Sequence, residues 1–474
     1  MKPALSVILI CILFSLVVVY PVYSQENTKL LAAPDIIPPA TETMQHPEFW
    51  INRLENPDRI IMSSKEIQEF NKNNQSRSLE RKDIHDKTIR IDNILAQGNF
   101  VGIQFHLEDP LRLKSVPGKS LHEKFRQTRD YLMNGDFWDR RNMPYPDSRK
   151  QEIIADFDES SIPETVLPRY GITVKHTLNR VVPTHEKVYR SQYNWLDMFQ
   201  NAVLETGMPV AILHTTKNGD WLYVKSEYST GWVPAENIAE SPVKDLIFLA
   251  ESDDFIVATA HKIPVYADRD CNTWLTDIYM GARLKLKKKS KIGYNILVPF
   301  RNPDGSLKAI GGWIKPDADV SVGFQPYTQR NVISTIFKLL NRPYGWGGTD
   351  HERDCVGTIR AVFKTCGIFM PRWTTFVLYH TDHVITFPPD EPKDVKYRYL
   401  DSCEPGITVC GFDWHVVLYL GKVDDVHYII HQNGYSYHSE DGTEYRVGRV
   451  SVNNTELEGG ADITRWTALS VFKP

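Results

Sequence analysis

No sign of charge dominates this chain of 474 residues: 55 Lys and Arg stand against 59 Asp and Glu, leaving a formal charge of −4. Whole-chain electrostatics therefore offers no argument for nucleic-acid binding, although a local basic patch stays open. The signature of disorder is also missing, because 42% hydrophobic and 24% charged residues describe a chain that can bury a core. Cysteine is scarce, at 6 in the chain. Metal-ligand spacing is sparse too: His380 and His383 flank Asp382 without further ligands at suitable intervals, and we expect neither a metal nor another cofactor.

The N-terminus carries an apolar run from Ala4 to Tyr20, preceded by Lys2 and followed by Pro21-Val22-Tyr23-Ser24-Gln25. This pattern predicts a signal peptide over residues 1–24, cut after Ser24, and hence a periplasmic or secreted protein without stable membrane insertion. The alternative is a retained anchor, since the run is close to the shortest that can span a bilayer. Cys11 lies within the run behind the bulky Ile10, a poor context for lipidation. Beyond the cut remain Cys271, Cys355, Cys366, Cys403 and Cys410, an odd number that leaves at least one thiol without an intramolecular partner. Cys403 and Cys410 are spaced so that a local disulfide is permitted.

Length alone suggests about three domains. Helical patterns prevail from Pro47 to Met133, including the capping box Ser63-Ser64-Lys65-Glu66 ahead of Ile67 and Phe70. The prolines between Pro144 and Pro168 break that pattern, which sets a helical N-terminal domain over 30–158. Short β runs follow, with a hairpin signal at Asn218-Gly219-Asp220 and another turn at Asp304-Gly305. Gly231-Trp232-Val233 and Gly312-Trp313-Ile314 lie 81 residues apart, which suggests two diverged copies of one small barrel. These segments resemble bacterial SH3-like domains, over 160–240 and 241–322. The basic run Lys285 to Lys291 reads as a solvated strand end, with contact to an anionic polymer as the alternative. Aromatics reach 11%, with 22 Tyr and 11 Trp, a richness that suits small β-domains or clefts gripping flat or sugar-like groups.

Chemistry concentrates in residues 325–474. Ile359, Val362, Phe363 and Cys366 share one helical face and Gly367 stops the helix, which puts Cys355 at or just before its start. Unpaired N–H groups at a helix start favour a thiolate, so Cys355 is a candidate nucleophile. His415 and His431, on two apolar runs that read as an antiparallel hairpin, are candidates for base and orienting partner. The bland alternative for each is a hydrogen-bonded core histidine. Tyr344 and Trp346, in the Gly-rich stretch Tyr344 to Gly348, have loop packing as theirs.

Four blocks, Tyr344-Gly345-Trp346-Gly347-Gly348, Arg353-Asp354-Cys355-Val356-Gly357, His415 to Gly421 and Ile429-Ile430-His431, resemble in order those of NlpC-like cell-wall cysteine peptidases. With the upstream SH3-like pair, the resemblance extends to the multidomain members. It implies an α+β multidomain fold: a helical N-terminal region, two small SH3-like β-barrels and a C-terminal papain-like catalytic domain. It further implies Cys355 as nucleophile, His415 as general base and acid, His431 as orienting residue, and Tyr344 near the oxyanion. Asp354 and Tyr228 would help hold the substrate's free amine. The partners implied are peptidoglycan stem peptides or muropeptides, cut between γ-D-glutamate and the diamino acid and preferably with a free N-terminal L-Ala. Val356 departs from the family's usual serine after the nucleophile, leaving one hydrogen bond fewer for that amine. An amidase or acyltransferase using the same Cys-His pair, and a non-catalytic wall-binding protein, are the alternatives.

Overall fold

The computed structural model describes residues 31–73, 78, 80–91, 104, 107–190, 196–439 and 441–474, so the segment read as a signal peptide lies outside the described residues. No helix among these residues is long and apolar enough to cross a membrane. The fold is mixed α+β with several antiparallel sheets.

Two seven-stranded sheets fill the middle of the chain, the first running from Arg169–Thr173 to Ile238–Glu240 and the second from Phe255–Ala258 to Val320–Val322. Numbered within each unit, both follow the strand order 7-1-4-5-6-2-3. The same topology on two successive stretches is what duplication of one barrel produces. Asn218 and Gly219 make the turn between Pro209–Thr215 and Trp221–Lys225, with Gly219 at φ +81°, the left-handed conformation such a turn requires.

The two Gly-Trp strands differ in cover. Trp232 is fully buried because the Gly118–Asn134 helix lies over the first barrel, with Phe125 stacked on the indole at 5.4 Å and Phe157 at 5.7 Å. Trp313 is only half-buried. A helix at Asp147–Ala155 starts directly after Pro146, inside the stretch whose prolines read as pattern breakers. Proline just ahead of a helix costs no hydrogen bond, because the first N–H groups have no intrahelical partner.

In the C-terminal part, a six-stranded antiparallel sheet runs Val384–Thr386, Ala468–Val471, Thr408–Phe412, His415–Val423, Val426–Asn433, Arg449–Asn454. The Gln329–Phe337 and Cys355–Lys364 helices pack on it. The residues expected to form one helical N-terminal domain are divided between two cores. Met44, Trp50, Ile51, Ile67 and Phe70 join the C-terminal core, whereas Leu121, Phe125, Phe137 and Phe157 join that of the first barrel. Leu31–Ala32 adds a parallel strand to Glu444–Arg446. The reason lies in size: the Ser64–Asn73 helix, capped as predicted by the reciprocal Ser63 and Glu66 contacts, buries only Ile67 and Phe70 and cannot sustain a core alone.

Trp50 is the main anchor of this attachment, 1% exposed, donating to the Met44 carbonyl at 2.9 Å and lying 5.5 Å from the Tyr428 ring. Trp50→Ala should therefore destabilise the C-terminal unit by about 3–5 kcal/mol, read by denaturant unfolding of the full chain. An unchanged midpoint would mean that residues 31–91 are a dispensable appendage.

Candidate active site

Asp354 caps the Cys355–Lys364 helix: Oδ1 accepts the Gly357 N–H at 2.8 Å and Oδ2 the Gly347 N–H at 2.9 Å. The same Oδ2 pairs with the Arg372 guanidinium. One carboxylate thus joins the helix start, the Gly-rich loop and the segment ahead of the Thr374–Leu378 helix. The loop needs such a hold, since Gly347, Gly348, Asp350 and His351 all have positive φ. Gln200 of the first barrel grips it from the other side, donating to the Gly347 carbonyl at 2.8 Å. No side chain fits at Gly347, where a Cβ would meet the Gln200 Cγ at 2.4 Å.

Cys355 occupies the first helical position and is 5% exposed. Burial, then the Asp354 charge, push its thiol up to about 12, against the favourable N–H groups of Val416 and Val356 and the Arg372 charge. These effects favour the protonated thiol, seated beside the residue that follows His415, and a nucleophilic use of such a sulfur requires a base to take its proton.

His415 and His431 lie on paired strands, and His431 stands opposite Ser451 in the next one. His415 Nε2 and His431 Nδ1 are 2.7 Å apart, and His431 Nε2 is 2.8 Å from Asn453 Oδ1, which also accepts the Ser451 hydroxyl at 2.7 Å. An amide oxygen only accepts, so with Oδ1 facing it His431 carries its proton on Nε2. Neutral His431 then presents a bare Nδ1, which accepts from His415 Nε2–H and leaves His415 Nδ1 unprotonated. That is the tautomer a general base requires. Both rings are held neutral: burial, then the neighbouring His431 and Arg465, depress His415 well below the ordinary imidazole range, and burial brings His431 down to about 4. Gly460 closes over the His415 ring, where a Cβ would lie 2.4 Å from Cδ2.

Tyr344 is brought to the same place. Its phenol is raised well above the ordinary range by burial, then by the nearby Cys355 sulfur and the Asp354 carboxylate, both of which disfavour a phenolate. Its ring covers Gly434, where a Cβ would stand 2.8 Å from Cε2. Tyr228 is placed differently. It is 1% exposed in the first barrel, its hydroxyl 2.5 Å from the Val203 carbonyl and 3.1 Å from Glu205, with the Arg360 guanidinium 3.6 Å from the ring centre. That hydroxyl is already committed within the barrel. Asp354, likewise, is already paired with Arg372.

His380 and His383 serve the Phe369 and Pro474 carbonyls. The cysteines from Cys271 to Cys410 are all free thiols, and Cys403 contacts the Tyr399 carbonyl at 3.4 Å instead of bonding to Cys410. Arg372 and Asn453 were missed in the sequence. Neither stands in a recognisable block, and only the strand register made Asn453 findable.

A family model described as an SH3 domain of SH3b1 type matches residues 193–234. Among solved structures, an NlpC/P60 endopeptidase from Photobacterium damselae subsp. piscicida superposes with a TM-score of 0.70 at 17% identity, covering 94% of this chain and 99% of that one. An NlpC/P60 family protein from Bacillus cereus aligns with a TM-score of 0.42 at 17% identity, over 58% of this chain and 83% of that one. No curated protein sequence matches. The chain thus has the fold of an NlpC/P60 endopeptidase over nearly all its length, in agreement with the resemblance of the four blocks.

A thiol this strongly protonated should react with iodoacetamide about tenfold faster per pH unit across pH 7 to 10, measured by mass mapping of Cys355 in the native protein. A plateau at neutral pH would reveal a preformed thiolate–imidazolium pair and contradict the neutral resting state.

Proposed function

We propose that this chain is a peptidoglycan hydrolase, a cysteine peptidase that cuts an amide bond in wall stem peptides. The bond we assign is the one from γ-D-glutamate to the diamino acid, in wall turnover or recycling. The observation that carries the reading is the Cys355 thiol at a helix start against the Val416 N–H, one residue from His415, whose tautomer is set through His431 and Asn453. The NlpC/P60 fold supports the choice of wall peptide as substrate.

In this reading His415 Nδ1 takes the thiol proton as Cys355 Sγ attacks the γ-carbonyl. The negative charge on the carbonyl oxygen is met by the Cys355 N–H, which has no intrahelical partner at the first helical position, and by the Tyr344 hydroxyl. Collapse expels the diamino acid's amine, which receives the proton from His415, and leaves a thioester on Cys355. Water, deprotonated by His415, then hydrolyses the thioester and regenerates the thiol. The imidazolium formed at each stage has His431 Nδ1 as its acceptor. Residues 1–24 would direct the chain to the periplasm or outside the cell, where this substrate lies.

The domain limits belong to the same proposal: barrels over 160–240 and 241–322, and a catalytic domain over 325–474 completed by residues 31–91.

Incubated with a stem tripeptide ending in diaminopimelate, with or without its disaccharide, the protein should release free diaminopimelate, identified by mass. Cys355→Ala should lower that release by at least about 10³-fold while remaining folded. Cleavage of a different bond would overturn the bond assignment, and undiminished cleavage by Cys355→Ala would overturn the mechanism.

A further inference from the structure

The groups that a substrate ammonium would need beside Cys355 are occupied. Asp354 has its two oxygens engaged by the Gly347 and Gly357 N–H groups, and its charge is matched by Arg372. A cavity of about 30 Å³ beneath it is lined by Arg353, Arg360 and Arg372 against the carboxylates of Asp354 and Glu205. Glu205 is itself turned to Lys364 at 3.4 Å. An ammonium brought to Asp354 would have to displace a guanidinium held in a buried ion pair and would then face the cations around it, an unfavourable exchange at low dielectric. The Tyr228 hydroxyl is taken up by Val203 and Glu205, and Val356, buried in the core, offers no hydroxyl.

Two indoles flank His415 and Arg372 in the chain and meet each other. Trp414 fills the turn directly before His415 and is 51% exposed, an unusual position for so large an apolar ring. Trp373 directly follows Arg372, and the two indoles meet edge to face with centres 5.8 Å apart. The exposed Trp414 ring, buttressed by the half-buried Trp373, offers an apolar face for the C–H face of a pyranose ring. In the bacterial wall, the stem peptide's amino end is an amide, formed with the lactyl group of a muramic sugar. It carries no positive charge and brings a sugar ring with it.

We propose that the site takes stem peptides whose amino end is still acylated and sugar-bearing, with the saccharide resting on Trp414 and Trp373, instead of free peptides anchored by an ammonium at Asp354. The inference rests on the peptidase reading for the identity of the peptide, but its binding prediction can be tested apart from turnover.

The test uses the full chain with Cys355→Ala, so that ligands are not consumed, and calorimetric titration with three probes: L-Ala-γ-D-Glu-diaminopimelate, its N-acetyl form, and the disaccharide tripeptide. Acetylation should leave affinity unchanged or higher, and the disaccharide should bind about tenfold more tightly than the acetylated peptide, the scale of one aromatic contact. Adding Trp414→Ala should bring the disaccharide to within about twofold of the acetylated peptide. Tighter binding of the free amine, no gain from the sugar, or a gain untouched by Trp414→Ala would each overturn the inference. Wild-type cleavage of the same probes separates the two readings. If binding follows the predicted order but nothing is cut, the reaction assignment fails and the binding site stands; if the free amine is both bound and cut best, the peptidase stands and this inference fails.

Discussion

The Asp354 carboxylate holds together three segments that meet at the Cys355 thiol. It caps the helix that begins with Cys355, ties down a loop with four positive-φ residues, and neutralises the partly buried Arg372. Each contact alone is an ordinary hydrogen bond or ion pair. Together they fix where the helix starts, and so where the sulfur sits relative to the strand carrying His415. A buried charge with three donors is costly to break, because removing any one leaves the remainder unsatisfied in a dry interior.

Around that point the resting electrostatics are neutral. The thiol keeps its proton and both histidines lack a second one, since burial penalises every charged form. What the fold supplies is direction: Asn453 accepts from His431, His431 accepts from His415, and the second His415 nitrogen is left unprotonated. Gly460 and the Tyr435 ring, 5.2 Å from His415, keep that imidazole from turning away. The barrels contribute at a distance, Gln200 by gripping the Gly347 carbonyl and Tyr279 by stacking on His351 at 5.1 Å.

Local structure was legible in the residues themselves. The Cys355 helix, the two histidine strands, the Ser63 capping box and the Asn218-Gly219 turn follow from periodicity and capping, which depend on neighbours in sequence. The repeated Gly-Trp strands pointed to two barrels, and the shared strand order agrees. Less was legible where the outcome depends on distant partners. Nothing near residue 50 announces that Trp50 packs on Tyr428, so residues 31–91 read as part of a separate helical domain. Asp354 and Tyr228 were assigned to an amine pocket through family resemblance, whereas Arg372, Val203 and Glu205, all remote in sequence, engage them. The Asn453 relay depends on strand register, which motif reading does not supply.

In the proposed reaction Cys355 forms a covalent acyl intermediate with His415 as its base. Rapid acid quench during turnover of the disaccharide tripeptide, followed by intact-mass and peptide mapping, tests it most directly. The expected result is a transient adduct on Cys355 with the mass of the acyl fragment that ends in γ-glutamate. Normal diaminopimelate release with no adduct on Cys355 at any quench time, or with the adduct on another residue, would contradict it.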